Sequence, residues 1–199
     1  MKKFLSVVLI LSFVCLQAQD KAIETSKEFQ DNLNLEYADK AKSPLAAEDF
    51  KTFKALDFYP INEKFIVDAK FIKSKKEKAF KMKTSTDRLP EYRKYGELQF
   101  TIATVTYKLN VYQNIDLMKK PGFEDYLFLP FSDLTCGKES YIGGRYVDLR
   151  IQKGSIWKID FNKAYNPYCA YNHKYSCPIV PLENDLNLEV VAGVKKFHN

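Results

Sequence analysis

From residue 65 onward, apolar side chains recur at every second position, which limits this part of the chain to β-strands with one face in a core. The clearest case is the stretch 96–112, where two alternating runs are separated only by Ala103 and Thr104. This spacing predicts a β-hairpin, and because neither linking residue favours a positive φ, we expect a strained or longer turn. Further strand-like runs lie at 65–72, 80–82, 126–131, 145–152, 155–161 and 186–192.

The residues before this region have helical spacing instead. Between residues 21 and 40, apolar residues return mostly every three or four positions among charged ones. Ser43 and Pro44 then suit the N-cap and the first position of a second helix, which Pro60 ends. The predicted fold class is mainly β (α+β), an antiparallel sandwich or barrel of roughly eight strands preceded by two N-terminal helices.

The N-terminus has the pattern of a secretory signal peptide. Lys2 and Lys3 precede an apolar run over 4–16, and the small residue Ala18 stands just before the chain becomes polar. An apolar helix of this length reaches only about 20 Å, well short of the ~30 Å hydrocarbon core of a bilayer. We therefore expect cleavage near Ala18, an exported protein that is periplasmic or extracellular, and no stable membrane span after cleavage.

These patterns divide the chain into a signal peptide at 1–18, a helical lead-in at 19–57 and a β-rich domain at 58–199. The formal net charge is +6, and loss of the signal peptide removes Lys2 and Lys3 but no acidic residue. Since the mature chain is then mildly basic and an exported protein seldom meets nucleic acid, we expect no nucleic-acid partner. The sequence leaves the oligomeric state open.

The stretch 133–184 holds four of the seven glycines, three of the four cysteines and the only tryptophan. Turn formers and reactive groups between strands are typical of a binding face on a rigid β scaffold. Amides combined with tyrosine rings suit a small polar ligand or a glycan, whereas in a structural role they would form turns and anchor the loop. The predicted ligand-binding residues are Asp133, Glu139, Arg145, Asn162, Tyr165, Asn166 and Tyr171.

Histidine is scarce, since His173 and His198 are the only two. A Ser-His-Asp triad or a multi-histidine metal site therefore lacks the residues it needs, and no cofactor motif occurs, so we expect no cofactor. The sequence leaves open whether the protein is an enzyme. If it is, Glu139 and Asp160 must transfer the protons, with Arg145 holding substrate charge. Alternation over 145–151 places Arg145 on the same strand face as apolar residues, with Asp148 on the opposite face, so Arg145 can instead be a buried structural partner of Glu139 or Asp160.

Cys169, His173 and Cys177 are spaced C-x3-H-x3-C. In an oxidising compartment a local disulfide between Cys169 and Cys177 is the simplest interpretation. Two alternatives stay open, namely free thiols and a tetrahedral zinc site with Cys136 as the fourth ligand. Because the spacing matches no common zinc finger, we predict the disulfide and no metal.

Several strings in the second half of the chain resemble a known family. They are Gly-Arg-Tyr-Val-Asp at 144–148, Asp-Phe-Asn-Lys-Ala-Tyr-Asn-Pro at 160–167, Cys-Ala-Tyr at 169–171 and Cys-Pro at 177–178. From about Phe58 to the C-terminus the chain is similar to the bacterial family called domain of unknown function 1684. It departs at Tyr168, where the family tends to have a second proline. The resemblance implies the extent of the domain and the importance of this segment, and it implies no activity.

Two functions are expected on these grounds. The leading one is an exported cell-envelope module that binds a small polar ligand, a glycan or a protein partner through the face formed by 133–171. The alternative is a carboxylate-driven hydrolase that uses Glu139 and Asp160 with Arg145. That hydrolase needs its two carboxyl groups in unlike surroundings, roughly 5–10 Å apart if the substrate is a glycoside.

Overall fold

The computed structural model describes residues 26–198. The predicted signal peptide, residues 1–18, lies outside the described residues. Two helices lead the described part of the chain, α1 over 26–38 and α2 at Ala47–Thr52. The strands in that part are β1 Ile66–Lys73, β2 Phe80–Lys81, β3 Glu91–Ile102, β4 Val105–Asn114, β5 Tyr126–Asp133, β6 Arg145–Arg150, β7 Ile156–Asp160 and β8 Asp185–Leu186.

These strands form a single sheet, in which the neighbours are ordered β6, β5, β4, β3, β1 and β7. β2 adds to β3, and β8 adds to β5 in parallel, whereas the other strand pairs of residues 26–198 are antiparallel. The sheet curls into half a barrel. The predicted mainly β, antiparallel architecture with preceding helices is confirmed.

The main core lies inside the curl. Successive residues of a strand point to opposite faces of the sheet. The two-residue period of apolar residues therefore places one set of alternating side chains in the core. Trp157 is 1% exposed, and its ring stacks on Phe71 with centroids 3.8 Å apart. Each strand of the main path contributes at least one buried residue, for example Val67, Leu98, Leu109, Leu129, Val147 and Ile159.

The outer strands β6 and β7 are shielded by other contacts. The Gln152 amide accepts from the Lys158 backbone N–H at 2.8 Å and donates to its carbonyl at 3.0 Å, as a neighbouring strand would. On β6, Tyr146 exchanges two backbone hydrogen bonds with Tyr165, at 2.9 and 3.0 Å. These contacts occupy edge groups that would otherwise be free to pair with another chain.

The predicted hairpin is confirmed, since β3 and β4 pair with Ile102 opposite Val105. Its turn contains only Ala103 and Thr104, and Ala103 has a φ of +54°. A residue with a Cβ in this left-handed region is strained by about 1–2 kcal/mol relative to glycine. The expected strain is therefore present at Ala103.

The second helix is shorter than the sequence predicts. It spans Ala47–Thr52 with Ala46 at its N-cap, so the predicted N-cap Ser43 and first position Pro44 are wrong, and it ends well before Pro60. Beyond Thr52 the chain is extended, and the backbone N–H of Leu56 donates to the Asn34 side chain at 2.7 Å. The helical pattern fails here because a side chain of α1 binds the N–H that a longer helix would use.

A buried ion pair joins β5 and β6 to the C-terminal segment. Arg145 Nη2 lies 3.1 Å from Asp133 Oδ1, and neither side chain has exposed surface. The guanidinium also donates to the carbonyls of Val190 and Ala192, at 2.8 and 2.5 Å. Asp133 Oδ2 accepts from the Val190 N–H at 2.8 Å. The network fixes the segment 190–194, because a buried charge without partners is very costly.

This network explains why the predicted strand at 186–192 is wrong beyond Leu186. Only Asp185 and Leu186 of this stretch pair with a strand. At positions 190 and 192 the side chains of Arg145 and Asp133 replace a neighbouring strand as hydrogen-bond partners. The apolar alternation persists, but side chains bind the backbone groups of Val190 and Ala192 where a strand would pair.

Replacing Ala103 with glycine is expected to raise the free energy of unfolding by about 0.5–1 kcal/mol. The substitution relieves the left-handed strain but adds freedom to the unfolded chain, so the net gain is modest. Thermal melts should show an increase of about 1–3 °C. Thr104→Gly is the control, since Thr104 has no positive φ and should be destabilised. An unchanged or lower Tm for Ala103→Gly would contradict the turn geometry.

Replacing Arg145 with methionine is expected to lower the free energy of unfolding by about 3–5 kcal/mol, because Asp133 is left charged and buried. Arg150→Met on the same strand is the matched control. Arg150 pairs with Asp125, but both side chains are half exposed, so its loss should cost less than about 1 kcal/mol. Urea unfolding of both variants gives the comparison. Equal effects would show that the buried pair contributes no more than a surface pair.

Candidate functional site

A concave pocket of about 370 Å³ lies between α1 and the outer face of the sheet, and we call it the Asp148 pocket. The helix contributes Phe29, Leu33 and Glu36, whose spacing places them on one helix face. The full lining is Phe29, Leu33, Glu36, Tyr92, Leu117, Tyr126, Phe128, Tyr146, Asp148, Tyr165, Pro167, Tyr168, Ser176, Cys177 and Pro178.

The sheet wall of the pocket follows from strand alternation on β5 and β6. Tyr126 and Phe128 point outward from β5, and Tyr146 and Asp148 point outward from β6. Phe128 and Asp148 stand opposite each other in the register. The intervening residues of both strands, such as Val147, face the core. The predicted two faces of β6 are thus confirmed.

Asp148 is the central polar group of the pocket. Its Oδ1 accepts hydrogen bonds from the hydroxyls of Tyr126 and Tyr165, at 2.6 and 2.7 Å. The carboxylate is open to solvent in the pocket but crowded by protein on its other sides. This crowding raises the pKa of Asp148, although the two tyrosine hydrogen bonds and the charge of Arg150 oppose the shift. The geometry therefore places an acidic side chain among aromatic rings.

Two further tyrosine hydroxyls of the pocket wall are also engaged. Tyr168 donates to Glu36 Oε1 at 3.1 Å, which links the 168–170 turn to α1. Tyr146 donates to the carbonyl of Pro178. Four of the five tyrosines in the wall thus have their protons committed to protein acceptors.

Of the predicted ligand-binding residues, only Tyr165 lines this pocket. Arg145 and Asp133 are buried in each other's network and expose no side-chain surface, so the structure gives their predicted binding role no support. Arg145 forms a buried structural ion pair, as one of the two interpretations predicted, but its partner is Asp133 and not Glu139 or Asp160. The physical reason is the fold, which brings the ends of β5 and β6 together.

Three further residues predicted to bind a ligand are buried and contact other parts of the protein. Asn162 is fully buried and pairs with the backbone N–H and carbonyl of Asn62, at 2.9 and 3.0 Å. Asn166 is buried and donates to the Lys195 carbonyl at 2.9 Å. Tyr171 is 2% exposed and packs edge-on against Tyr37. These contacts favour the turn and anchoring interpretation of these three residues.

The carboxylates proposed for a hydrolase do not line one pocket. Glu139 is exposed in a shallow depression that Lys195 and Lys196 also line. Asp160 lies at the end of β7, where its carboxylate accepts from Ser26 at 2.6 Å and from Asn162 at 2.9 Å. Arg145 contacts neither of them. The structure therefore does not assemble the predicted acid, base and substrate-binding set.

The residues that the predicted set omits are Asp148, Tyr126 and Glu36. A signal for Asp148 exists in the sequence, because alternation on β6 places it on the face opposite Arg145. Its two tyrosine partners lie 17 and 22 residues away along the chain. No local pattern joins them to Glu36, which comes from the helical lead-in.

Cys169 and Cys177 are neighbours and are free thiols in the structure. The Cys169 backbone N–H donates to Cys177 Sγ at 3.2 Å. A hydrogen bond from the Cys177 thiol lowers the pKa of Cys169, and the same bond raises the pKa of Cys177. Cys169 also contacts the Tyr141 hydroxyl at 3.8 Å. The predicted disulfide between these two residues stays a prediction.

The alternative zinc site lacks its ligand set. Cys136 Sγ lies 3.5 Å from Asp133 Oδ1 and 3.8 Å from Ser140 Oγ. The His173 side chain is exposed. Among residues 26–198, no three His, Cys, Asp or Glu side chains gather where one metal ion could bind them. In the same part of the chain, no helix has both the length and the apolar character that crossing a bilayer requires.

Oxidation of the chain from residue 19 onward with glutathione disulfide is expected to leave one titratable thiol, that of Cys136. The ionised form of Cys169 attacks the oxidant, and Cys177 then displaces glutathione to close a nine-residue loop. Closure should stabilise the protein by about 2–3 kcal/mol, read as a rise in Tm. Cys177→Ser is the control that should gain no such stability. Three titratable thiols after oxidation would defeat the prediction.

Comparison with known proteins agrees with the fold and the resemblance. The chain is similar to the solution NMR structure of an uncharacterized protein from Haloarcula marismortui, at 27% identity and a TM-score of 0.70, over 90% of this chain and 96% of that chain. No curated protein matches. The model of the family described as "Protein of unknown function (DUF1684)" matches residues 51–195, well over half of the chain. This chain therefore belongs to the DUF1684 family.

Proposed function

We propose that this protein is an exported cell-envelope module that binds a small polar ligand in the Asp148 pocket. The observation that carries the proposal is a carboxylate open to solvent at the base of an aromatic pocket. Small-ligand sites combine apolar walls with a few placed polar groups, and about 370 Å³ is within their usual range. Export is supported by the signal-peptide pattern of residues 1–18.

The shape of the site favours a small ligand over the other partners considered. A protein partner would use a broad surface, whereas the aromatic groups here line a concavity. The hydrolase has less support, because Glu139 and Asp160 lie in different depressions and Arg145 is buried.

The proposal predicts that filling the pocket abolishes binding. Leu117 lines the pocket and is half buried, so Leu117→Trp should occupy part of its volume. Leu182→Trp is the matched control, since Leu182 is 91% exposed and lies outside the pocket. Thermal-shift screens with polar metabolites and glycans, followed by calorimetry, should find a compound that binds the wild type and Leu182→Trp but not Leu117→Trp. The absence of any saturable binding by the wild type would contradict the proposal.

A further inference from the structure

The Asp148 pocket has the opposite charge to the protein as a whole. The chain carries a net charge of +6. Among the described residues that line the pocket, Glu36 and Asp148 are carboxylates and none is lysine, arginine or histidine. The nearby Arg150 donates to Asp125 and to the Gly122 carbonyl, both at 2.6 Å, so its charge is already paired. The charged side chains that line the pocket therefore favour a positive ligand.

The hydrogen-bonding groups of the pocket are mainly acceptors. The hydroxyls of Tyr126 and Tyr165 donate to Asp148 Oδ1, and the Tyr168 hydroxyl donates to Glu36, so none of the three is free to donate to a ligand. Within residues 26–198, no group donates to Asp148 Oδ2. A ligand that meets these groups must bring its own donors. An N–H-bearing cation supplies both the donors and the charge.

The aromatic walls suit the carbon atoms next to such a cation. Rings of Phe29, Tyr126, Phe128 and Tyr165 line the same volume as the carboxylate. Ammonium groups are attracted to aromatic faces, and the alkyl or aryl part of an amine is removed from water by the same rings. An anion would be repelled by Glu36 and Asp148, and a neutral polyol would find few donors for its oxygen atoms.

We propose that the ligand of the Asp148 pocket is a small protonated amine, with its ammonium group donating to Asp148 and its carbon skeleton packed against the aromatic wall. This assignment rests on the proposed function, because it names the ligand class of the same pocket. Glu36 adds a second negative charge at the rim. Recognition is by charge and hydrogen bonding, with no covalent step.

The test compares three probes that share a ring and differ in charge, namely benzylamine, benzyl alcohol and benzoate. Calorimetry on the wild type at neutral pH should show that benzylamine binds at least about tenfold more tightly than the other two. A tenfold difference in affinity corresponds to the free energy of one charge-assisted hydrogen bond. Asp148→Asn should remove this preference while the amide oxygen still accepts from the two tyrosines. Glu36→Gln is a second variant, and it should weaken the binding of benzylamine while the hydrogen bonds to Asp148 stay unchanged.

The matched control is Asp57→Asn, which removes one negative charge from an exposed side chain that pairs with Lys195 outside the pocket. It should bind benzylamine as the wild type does. Equal binding of the three probes, or an unchanged preference in Asp148→Asn, would overturn the amine assignment. A neutral or anionic compound whose binding is lost in Leu117→Trp would also overturn it but leave the pocket as a binding site. If no compound binds the wild type, the proposed function fails as well.

Discussion

The buried contact between Arg145 and Asp133 is the interaction on which the rest of the structure depends. Two charged side chains without exposed surface are tolerated because each meets several partners. Those partners include backbone groups at 190–194, so the pair ties the C-terminal segment to β5 and β6. That segment in turn holds the chain just after the lead-in, since the Tyr59 N–H donates to the carbonyl of Gly193 at 2.9 Å.

The short strand β6 packs into the core with one face and lines the candidate site with the other. Arg145 and Val147 of β6 point into the core, while Tyr146 and Asp148 point into the pocket. A site group on a strand whose inner face is fixed by an ion pair and packing has little freedom to move. Two tyrosine hydrogen bonds then orient the Asp148 carboxylate itself. Stability and recognition are thus built from alternate residues of one strand.

Much of the fold could be predicted from the sequence, and less of the site. The alternation predicted the strands and the two faces of β6, and the link at Ala103 predicted a strained turn. The set of binding residues did not follow, because Asn162, Asn166 and Tyr171 have the same chemistry whether they bind a ligand or hold the scaffold. Their pairing with residues such as Asn62 and Lys195 depends on contacts across long stretches of chain.

By itself the sequence determined the strand pattern, the helical lead-in and the face on which each strand residue lies. These properties are set by local periodicity and by the separation of apolar from polar groups, which act between near neighbours. Only the tertiary structure decided that Asp133 is the partner of Arg145 and that residues of α1 line the same pocket as Asp148. Which distant groups meet depends on how the sheet curls and on the burial of every charge and hydrogen-bonding group at once, and no local pattern encodes that.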